Sequence, residues 1–403
     1  MLGPGLLYAG AAIGVSHLVQ STRAGAEFGY GLVWAIILAN FLKYPFFEAG
    51  PRYAAATGNN LLHGYKSLGK WVLYLFIAIT ISTMFIIQSA VTVVTAGLVS
   101  EITGMVFAPW IISSILLLIC LAILLIGNYA FLDRIMKLII VLLTLTTIVA
   151  LCFSLFGSSE QYESYLQTFS FLNNDNVLFL IALMGWMPAP LDISVWHSVW
   201  AVEKNKGLTQ KITLKTALID FKIGYFGTFI LAICFLGLGA STIYGTGIAL
   251  EASGGGFAKQ LIGIYTNALG NWSYALIALA AFTTMFSTTL TCLDAFPRVL
   301  SPATAMIKKN KINEQKCYKF WLLCLVAGTI ILLALFLTNM KTMVDFATKV
   351  AFITSPIIAI LNYLVINGKT MPSESKQSYF LKILSWIGII YLIGFSLYFV
   401  YLY

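Results

Sequence analysis

Two short stretches of this sequence place polar or helix-breaking residues inside long apolar runs. The first is Gly14-Val15-Ser16-His17, in the middle of the apolar run over residues 5–31. The second is Met187-Pro188-Ala189-Pro190, followed by Asp192, inside the run over residues 177–202. Because lipid cannot hydrogen-bond a loosened backbone, such interruptions occur where the chain lines a protein cavity. Ionisable side chains at this depth indicate a functional site.

The side chains of these two stretches suit a divalent metal ion. Imidazole and carboxylate groups bind manganese, iron and zinc, and a methionine thioether adds a soft ligand. We therefore interpret His17, Asp192 and Met187 as candidate metal ligands, with His17 and Asp192 facing each other across a cavity. Three further groups are secondary candidates, namely Ser16 and the backbone carbonyls of Gly14 and Ala189. The alternative is an ion pair between His17 and Asp192 that joins two half-helices without any metal.

Composition places the chain among polytopic membrane proteins built from helices. Of its 403 residues, 60% are hydrophobic and only 10% are charged, with a mean hydropathy of +0.90. A soluble domain carries about a quarter of charged residues. The net charge of +9 is expected to reflect membrane topology and not nucleic-acid binding. The six cysteines show neither the spacing of a metal cluster nor that of a disulfide framework.

Eleven apolar runs are long enough to cross a bilayer. They cover residues 5–31, 32–56, 71–100, 107–127, 132–156, 177–202, 214–240, 272–293, 321–337, 344–366 and 381–401, and a Gly/Ser-rich loop with Gly254-Gly255-Gly256 precedes the eighth. Alternate loops carry the basic residues Lys66, Lys70, Arg134, Lys137, Lys204, Lys206, Lys211, Lys308, Lys309, Lys311, Lys316, Lys319, Lys369 and Lys376. This asymmetry predicts a cytoplasmic N-terminus and an extracytoplasmic C-terminus, in a plasma membrane such as the bacterial inner membrane.

The two interrupted runs are the first and the sixth, which lie five spans apart. Because five is odd, the two halves insert with opposite orientation, which predicts inverted repeats over residues 1–157 and 177–366. An extra helix at 380–403 completes a single transmembrane domain, 1–403. Broken helices in corresponding positions of inverted repeats mark the substrate site of many secondary transporters. An enzyme is not expected, since the sequence has no HExxH, Gly-x-Ser-x-Gly or phosphate-binding glycine loop. A channel is not favoured either, because no ring of pore residues is evident.

The N-terminal part of the chain resembles a known transporter family. The segments Gly3-Pro4-Gly5-Leu6-Leu7, Arg23-Ala24-Gly25-Ala26-Glu27-Phe28-Gly29-Tyr30 and Leu38-Ala39-Asn40 are similar to the opening of the natural resistance-associated macrophage protein (Nramp) family. The resemblance is dense over about residues 3–58 and weaker at Leu132-Asp133-Arg134 and Trp196-His197-Ser198. It implies a LeuT-type fold, with eleven helices and an inverted 5+5 repeat, and proton-coupled transport of divalent transition metals.

The same resemblance shows where this chain departs from the family. The Asp-Pro-Gly-Asn metal motif of the family falls on residues 14–17, so that Gly14 replaces the metal-binding aspartate and His17 the asparagine. In the sixth span, the family's Met-Pro-His-Asn motif matches Met187-Pro188 in one register. In the other register, set by His197-Ser198, Pro190 takes the methionine position and Asp192 that of the following histidine. Both registers remain open.

The third span lacks the acidic pair of the family, because residues 82–88 are uncharged. The usual proton route is therefore in question, and either His17 or a titratable group in another span would carry coupling protons. The candidates are His197, Glu27 and Asp220. A histidine is suited to this role because imidazole groups titrate near physiological pH. Proton coupling and sodium coupling both remain open.

We therefore expect a secondary active transporter that moves a divalent metal ion, manganese, iron or a related one, across the lipid bilayer by alternating access, without a resident cofactor. The alternative keeps the fold and changes the substrate to an amino acid or other small organic solute, coupled to sodium or protons, since a fold alone does not fix function. A metal sensor is disfavoured, because loops of at most about thirty residues leave no soluble output domain. The oligomeric state is left open.

Overall fold

A computed structural model describes residues 3–126, 129–156, 166–206, 212–307, 313–336 and 339–402. Within these ranges every regular element is a helix, as the composition predicted. The helices are α1 (Pro4–Ala12), α2 (Thr22–Phe28), α3 (Val33–Thr57), α4 (Leu61–Leu68), α5 (Lys70–Thr103), α6 (Pro109–Ile126), α7 (Tyr129–Phe156), α8 (Asn174–Trp186), α9 (Ile193–Lys206), α10 (Leu214–Thr242), α11 (Gly254–Leu269), α12 (Tyr274–Ile307), α13 (Glu314–Phe336), α14 (Met340–Asn367) and α15 (Tyr379–Leu402).

Among the described residues, seven helices are long and apolar enough to cross a membrane, namely α5, α6, α10, α12, α13, α14 and α15. They match seven of the predicted spans. The first and sixth spans are each divided into two helices, α3 carries buried charges, and in α7 the residues with described side chains include only the apolar stretch Val141–Leu155, so the total of eleven spans stays a prediction. The predicted repeat boundary at 157 and the basic residues Lys211, Lys308, Lys309 and Lys311 lie outside the described residues.

Both predicted interruptions are present. In the first span, α1 ends at Ala12 and a π-helix, Ser16–Ser21, leads into α2. In the sixth span, α8 ends at Trp186 and α9 begins at Ile193, with residues 187–192 between them. This second break includes both segments that the family motif can match, so the helix boundaries are compatible with either register.

The structure corrects the interpretation of one loop. The Gly/Ser-rich stretch before the eighth span was expected to be a loop, but it forms α11, whose first turn is capped by the Ser253 side chain accepting from Gly256 N. The glycines there serve close packing, because a Cβ added at Gly97 of α5 would lie 2.3 Å from the Gly254 carbonyl carbon. Glycine composition alone could not distinguish a flexible loop from a tight helix contact.

Close helix packing fixes the first span against α10. A Cβ added at Gly25 would lie 1.9 Å from the Leu236 carbonyl oxygen, and one added at Gly239 would lie 2.2 Å from the Thr22 carbonyl oxygen. Small residues on both helices therefore let the two backbones approach closely, as is common between membrane helices. As a result, the residues of the first break are held directly against α10.

Candidate functional site

The first break leaves backbone carbonyls without their helical partners. Within the described residues, no backbone N–H donates to the carbonyl of Gly10 or of Ile13. The Thr288 hydroxyl of α12 lies 3.1 Å from the Gly10 oxygen and 3.0 Å from the Ile13 oxygen. The amides of His17 and Leu18 both donate to the Gly14 carbonyl, at 3.1 and 2.9 Å. The break therefore directs carbonyl oxygens that have no backbone donor towards α12.

The His17 ring is completely buried and points towards α10. Its Nε2 lies 3.0 Å from the Thr228 carbonyl oxygen, and its Nδ1 lies 2.7 Å from the Ser16 hydroxyl. Since a carbonyl only accepts, Nε2 carries the hydrogen of the neutral ring and Nδ1 keeps its lone pair. A metal bound by His17 would therefore be held by Nδ1, in exchange for the contact with Ser16.

The position of the family aspartate has no room for a side chain. A Cβ added at Gly14 would lie 2.8 Å from Cγ2 and 3.0 Å from Oγ1 of Thr288. Such distances are shorter than ordinary contacts between carbon atoms, so an aspartate here would collide with α12. The packing of the first break against α12 thus explains physically why glycine stands at this position.

A buried lysine occupies the end of the half-helix before the sixth break. The Lys43 ammonium, on α3, is fully buried and donates to the carbonyls of Met184 and Gly185, at 2.7 Å each. A cation is favourable there because the C-terminus of a helix carries partial negative charge. Lys43 therefore occupies carbonyl oxygens that an ion in the break could otherwise bind, and no sequence pattern indicates this contact across the fold.

The remaining sixth-span candidates differ in their surroundings. The Met187 side chain packs in an apolar cluster with residues of α2, α3, α8 and α10, such as Phe28, Ile36 and Leu236. Ala189 lies in the main apolar core. Met187 is therefore a buried member of an apolar cluster, and its role as a metal ligand stays a prediction.

Asp192 is the carboxylate of the break. It is 7% exposed, and its Oδ1 atom has no hydrogen-bond partner. It lines a cavity of about 10 Å³ between α5 and α14, together with Thr80, Thr83 and Thr354. A buried charged group without a partner is costly, so this oxygen, beside a small cavity that three threonines also line, is a candidate ligand for a cation.

The structure brings the two breaks together at Ser16, whose hydroxyl lies 3.4 Å from the Pro188 carbonyl oxygen. It does not pair His17 with Asp192, because no ion pair joins them in the described part of the chain. Among the same residues, no three His, Cys, Asp or Glu side chains are grouped to hold a metal. A metal site here would depend on one carboxylate, the His17 Nδ1 and oxygens of the backbone and hydroxyl groups.

Two of the coupling candidates lie near the start of the first span. The Asp220 carboxylate accepts from the amides of Gly3, at 2.9 Å, and Gly5, at 2.7 Å. It therefore caps the N-terminus of α1, where a negative charge is favourable. His197 is buried, its Nδ1 has no hydrogen-bond partner, and it lines a cavity of about 20 Å³ together with Asp220. The imidazole and this carboxylate thus face the same small space.

The third coupling candidate belongs to a charge cluster at the far end of the first span. Arg23 Nη1 lies 2.8 Å from Asp345 Oδ1 of α14, while Arg23 Nε lies 3.6 Å from Glu27 Oε1. Gln20 Nε2 also donates to Asp345, at 3.3 Å. The i,i+4 spacing places Arg23 and Glu27 on one helix face, and the contact of Arg23 with Asp345 joins the first span to the tenth.

A large cavity opens at the other end of the bundle, next to the predicted basic loops; we call this the basic end. The cavity has a volume of about 800 Å³. At its wall, Asp294 accepts from Arg298 Nε at 2.7 Å and Nη2 at 2.6 Å, and from the Tyr318 hydroxyl at 2.8 Å. The pair of Asp294 and Arg298 was not identified from the sequence, although their i,i+4 spacing is typical of an ion pair on one helix. On α4, burial and the neighbouring Lys66 lower the pKa of His63, which also lines the cavity.

Comparison with known proteins gives one matching family model and several relatives. The family model described as natural resistance-associated macrophage protein-like matches residues 5–402. An uncharacterised protein of Pasteurella multocida is 34% identical over 403 residues, covering 99% of this chain and 91% of that protein. The divalent metal cation transporter MntH of Staphylococcus saprophyticus is 25% identical over 97% of this chain and 89% of its own length.

A manganese transporter of Eremococcus coleocola, solved with an aromatic bis-isothiourea compound, has a similar structure. The TM-score is 0.77, with 13% sequence identity, over 98% of this chain and 85% of that one. The chain is therefore a membrane transporter that belongs to the Nramp family and has its LeuT-type fold.

Proposed function

We propose that this protein is a secondary active transporter of a divalent metal ion, such as manganese or iron, with a metal motif altered from that of its family. The observation that carries the proposal is the Asp192 Oδ1 atom, a buried carboxylate oxygen without a partner at the break of the sixth span. In a family of metal transporters, such an oxygen is suited to bind the transported cation. Carboxylate, hydroxyl and carbonyl oxygens are the ligands that manganese prefers.

The proposed metal site is centred on Asp192 and includes the hydroxyl oxygens of Thr80 and Thr83, which line the same cavity. Both hydroxyls donate to carbonyls of their own helix, so their lone pairs stay free to face a cation. His17 joins the site through Nδ1 when the Ser16 contact is exchanged for the ion. This arrangement replaces the lost aspartate at Gly14 by a carboxylate from the other break.

The proposed mechanism is alternating access, supported by the asymmetry between the two ends of the bundle. At one end, the ion pair of Arg23 with Asp345 joins the first and tenth spans. At the basic end, a cavity of about 800 Å³ is open. A transporter open only on one side has this form, and the predicted topology makes the open side cytoplasmic. Transport would alternately open the ion pair and close the cavity.

Uptake into proteoliposomes tests the proposal, with manganese, iron, magnesium and amino acids offered separately. Asp192→Asn is expected to reduce metal uptake at least tenfold, since even outer-shell changes around a bound metal cost about 10–100-fold in affinity. Asp175→Asn is the matched control, because that aspartate is exposed at the start of α8. Metal uptake that persists in both Asp192→Asn and His17→Ala would exclude this site while leaving metal transport intact. Lumen acidification during uptake would establish proton coupling.

One observation favours the second candidate, a small organic solute. Lys43 already occupies the carbonyls of Met184 and Gly185, and in its protonated form it repels a second cation at the sixth break. The same buried charge would attract the carboxylate of an amino acid. Uptake of an amino acid without any metal uptake, in the assay described above, would select this function.

A further inference from the structure

The outer face of α10 presents apolar side chains at helical spacing. Ile219 is 48% exposed and Ile230 is 51% exposed, and the exposed fractions of Ile223 and Phe226 lie between these values. Their spacing places all four side chains on one face of the helix. The other faces of α10 pack against α1, α2, α3 and α7. Because the chain is a membrane transporter, the outer face of α10 contacts lipid.

Two lysines interrupt this apolar face. Lys215 and Lys222 are both exposed, and their i,i+7 spacing places them on the same side of the helix as Ile219 and Ile223. The uncharged stretch that follows, residues 223–242, is about as long as a helix needs to cross the hydrocarbon core. Lys222 therefore lies at the boundary between hydrocarbon and headgroups. Lys215 lies about 10 Å farther out along the helix axis, among the headgroups.

Neither lysine is neutralised by a carboxylate in the described part of the chain, since no ion pair there includes Lys215 or Lys222. The nearest aspartate in the sequence, Asp220, is buried and accepts from the amides of Gly3 and Gly5, on the side of α10 that faces α1. A lysine next to lipid extends its side chain so that the ammonium reaches the headgroups. Both ammonium groups are thus available to negatively charged groups of the membrane.

An aromatic surface lies beside Lys222, where α3 and α10 meet. Tyr44 of α3 stacks on Phe226 of α10, with ring centroids 6.2 Å apart and an interplanar angle of 28°. Phe226 follows Lys222 by one helical turn, and Phe41, one turn before Tyr44, is 52% exposed. Tyrosine is common at the level of the headgroups because its ring is apolar and its hydroxyl is polar. We call the surface formed by Phe41, Tyr44, Lys222 and Phe226 the α3–α10 seam.

We propose that the α3–α10 seam binds an anionic phospholipid of the leaflet at the basic end. The lipid phosphate contacts the Lys222 ammonium, the rest of the headgroup extends towards Lys215, and an acyl chain lies on the rings of Phe41 and Phe226. Charge complementarity selects the lipid class, because the choline or ethanolamine group of a zwitterionic lipid would place a positive charge beside Lys215. An anionic headgroup has no such group and neutralises both lysines.

The position of the seam links the lipid to the first span. The inner side of α10 caps the N-terminus of α1 through Asp220 and contacts the His17 ring through the Thr228 carbonyl. The lipid is therefore bound to the helix that holds the first half-helix and the first break. The inference goes beyond the proposed function and does not depend on the transported substrate, since lipid binding is measured without one.

The test is native mass spectrometry of the purified full chain in detergent, titrated with palmitoyl-oleoyl phosphatidylglycerol or with phosphatidylcholine of the same acyl chains. We expect the wild type to bind phosphatidylglycerol more tightly than phosphatidylcholine. Lys222→Gln should weaken phosphatidylglycerol binding about fivefold, equivalent to about 1 kcal/mol, and leave phosphatidylcholine binding nearly unchanged. Lys222→Arg, which keeps the charge, should bind as the wild type does.

Lys70→Gln is the matched control, because Lys70 is also exposed and begins α5, another helix whose first residues are predicted to lie at the basic end. It should bind phosphatidylglycerol as the wild type does. Size-exclusion chromatography of each variant monitors folding, and inorganic phosphate added to the wild type tests whether a free anion is sufficient for binding.

Four results would overturn the proposal. One is equal affinity of the wild type for the two lipids. Another is wild-type affinity for phosphatidylglycerol in monodisperse Lys222→Gln. A loss in Lys70→Gln as large as that in Lys222→Gln would show a general attraction to the basic end instead of a site at the seam. Complete displacement of the lipid by inorganic phosphate would identify a site for free anions.

Discussion

Gly14→Ala tests whether the first break is packed against α12 as tightly as the structure indicates. The added Cβ would lie 2.8 Å from Cγ2 and 3.3 Å from Cβ of Thr288. Because threonine is short and branched, it has no flexible end that could move away. Overpacking of this kind costs about 1–3 kcal/mol, and we expect Gly14→Ala to reduce the free energy of unfolding by that amount. Gly14 is not among the glycines with positive φ, so the cost is steric.

A second substitution separates this clash from a general effect on the helix. Thr288→Ala removes Cγ2 and Oγ1, the two atoms nearest to the added Cβ. The double variant should therefore lose less stability than the sum of the two single variants, with a coupling energy of about 1 kcal/mol or more. Gly227→Ala is the matched control, since a Cβ added there meets no atom within 4 Å.

The measurement is reversible unfolding in mixed micelles, followed by circular dichroism, for the wild type and the four variants. Wild-type stability in Gly14→Ala would refute the packing argument. Additive effects of Gly14→Ala and Thr288→Ala would also refute it, because they would show that the two residues do not share the contact. Gly14→Asp, which restores the family residue, should destabilise the protein more than Gly14→Ala does.

Two further predictions concern charged side chains that join helices. Lys43→Met should lower the free energy of unfolding by about 1–3 kcal/mol in the same assay, because two carbonyls at the end of α8 lose their donor. The control is Lys222→Met, which replaces an exposed lysine on α10. A loss of stability in Lys43→Met no larger than in this control would contradict the role of Lys43. Asp345→Asn should weaken the contact with Arg23 by about 1 kcal/mol. The fraction of molecules that are open at the Arg23–Asp345 end of the bundle should therefore rise about fivefold. Faster labelling of a cysteine introduced at Gln20 by an impermeant thiol reagent would report the opening, and a rate equal to that in Glu27→Gln would count against it.

The two breaks present different polar groups. In this chain the first break offers carbonyl oxygens and one imidazole nitrogen, while the only carboxylate at the breaks, Asp192, comes from the sixth span. Lys43 donates to the carbonyls of Met184 and Gly185 at the end of α8, directly before the sixth break.

Much of the architecture could be predicted from the sequence, because it depends on local composition. Runs of apolar residues long enough to cross a bilayer predicted the helices, and glycine or proline inside two of them predicted both breaks. The i,i+4 spacing of Arg23 and Glu27 places both side chains on one helix face, which is a sequence signal for their contact. The helical nature of α11 was missed, since its glycines are explained only by the approach of α5.

The partners of the buried polar groups were decided by the tertiary structure alone. His17 contacts Thr228, 211 residues away, and Asp220 accepts from Gly3, 217 residues away. Similarly, Lys43 bonds to Met184 at a separation of 141 residues. A sequence shows that a buried polar group needs a partner, because leaving it unpaired in lipid is costly. It does not show which of many free carbonyls will meet it, since that depends on how the helices pack around the two breaks.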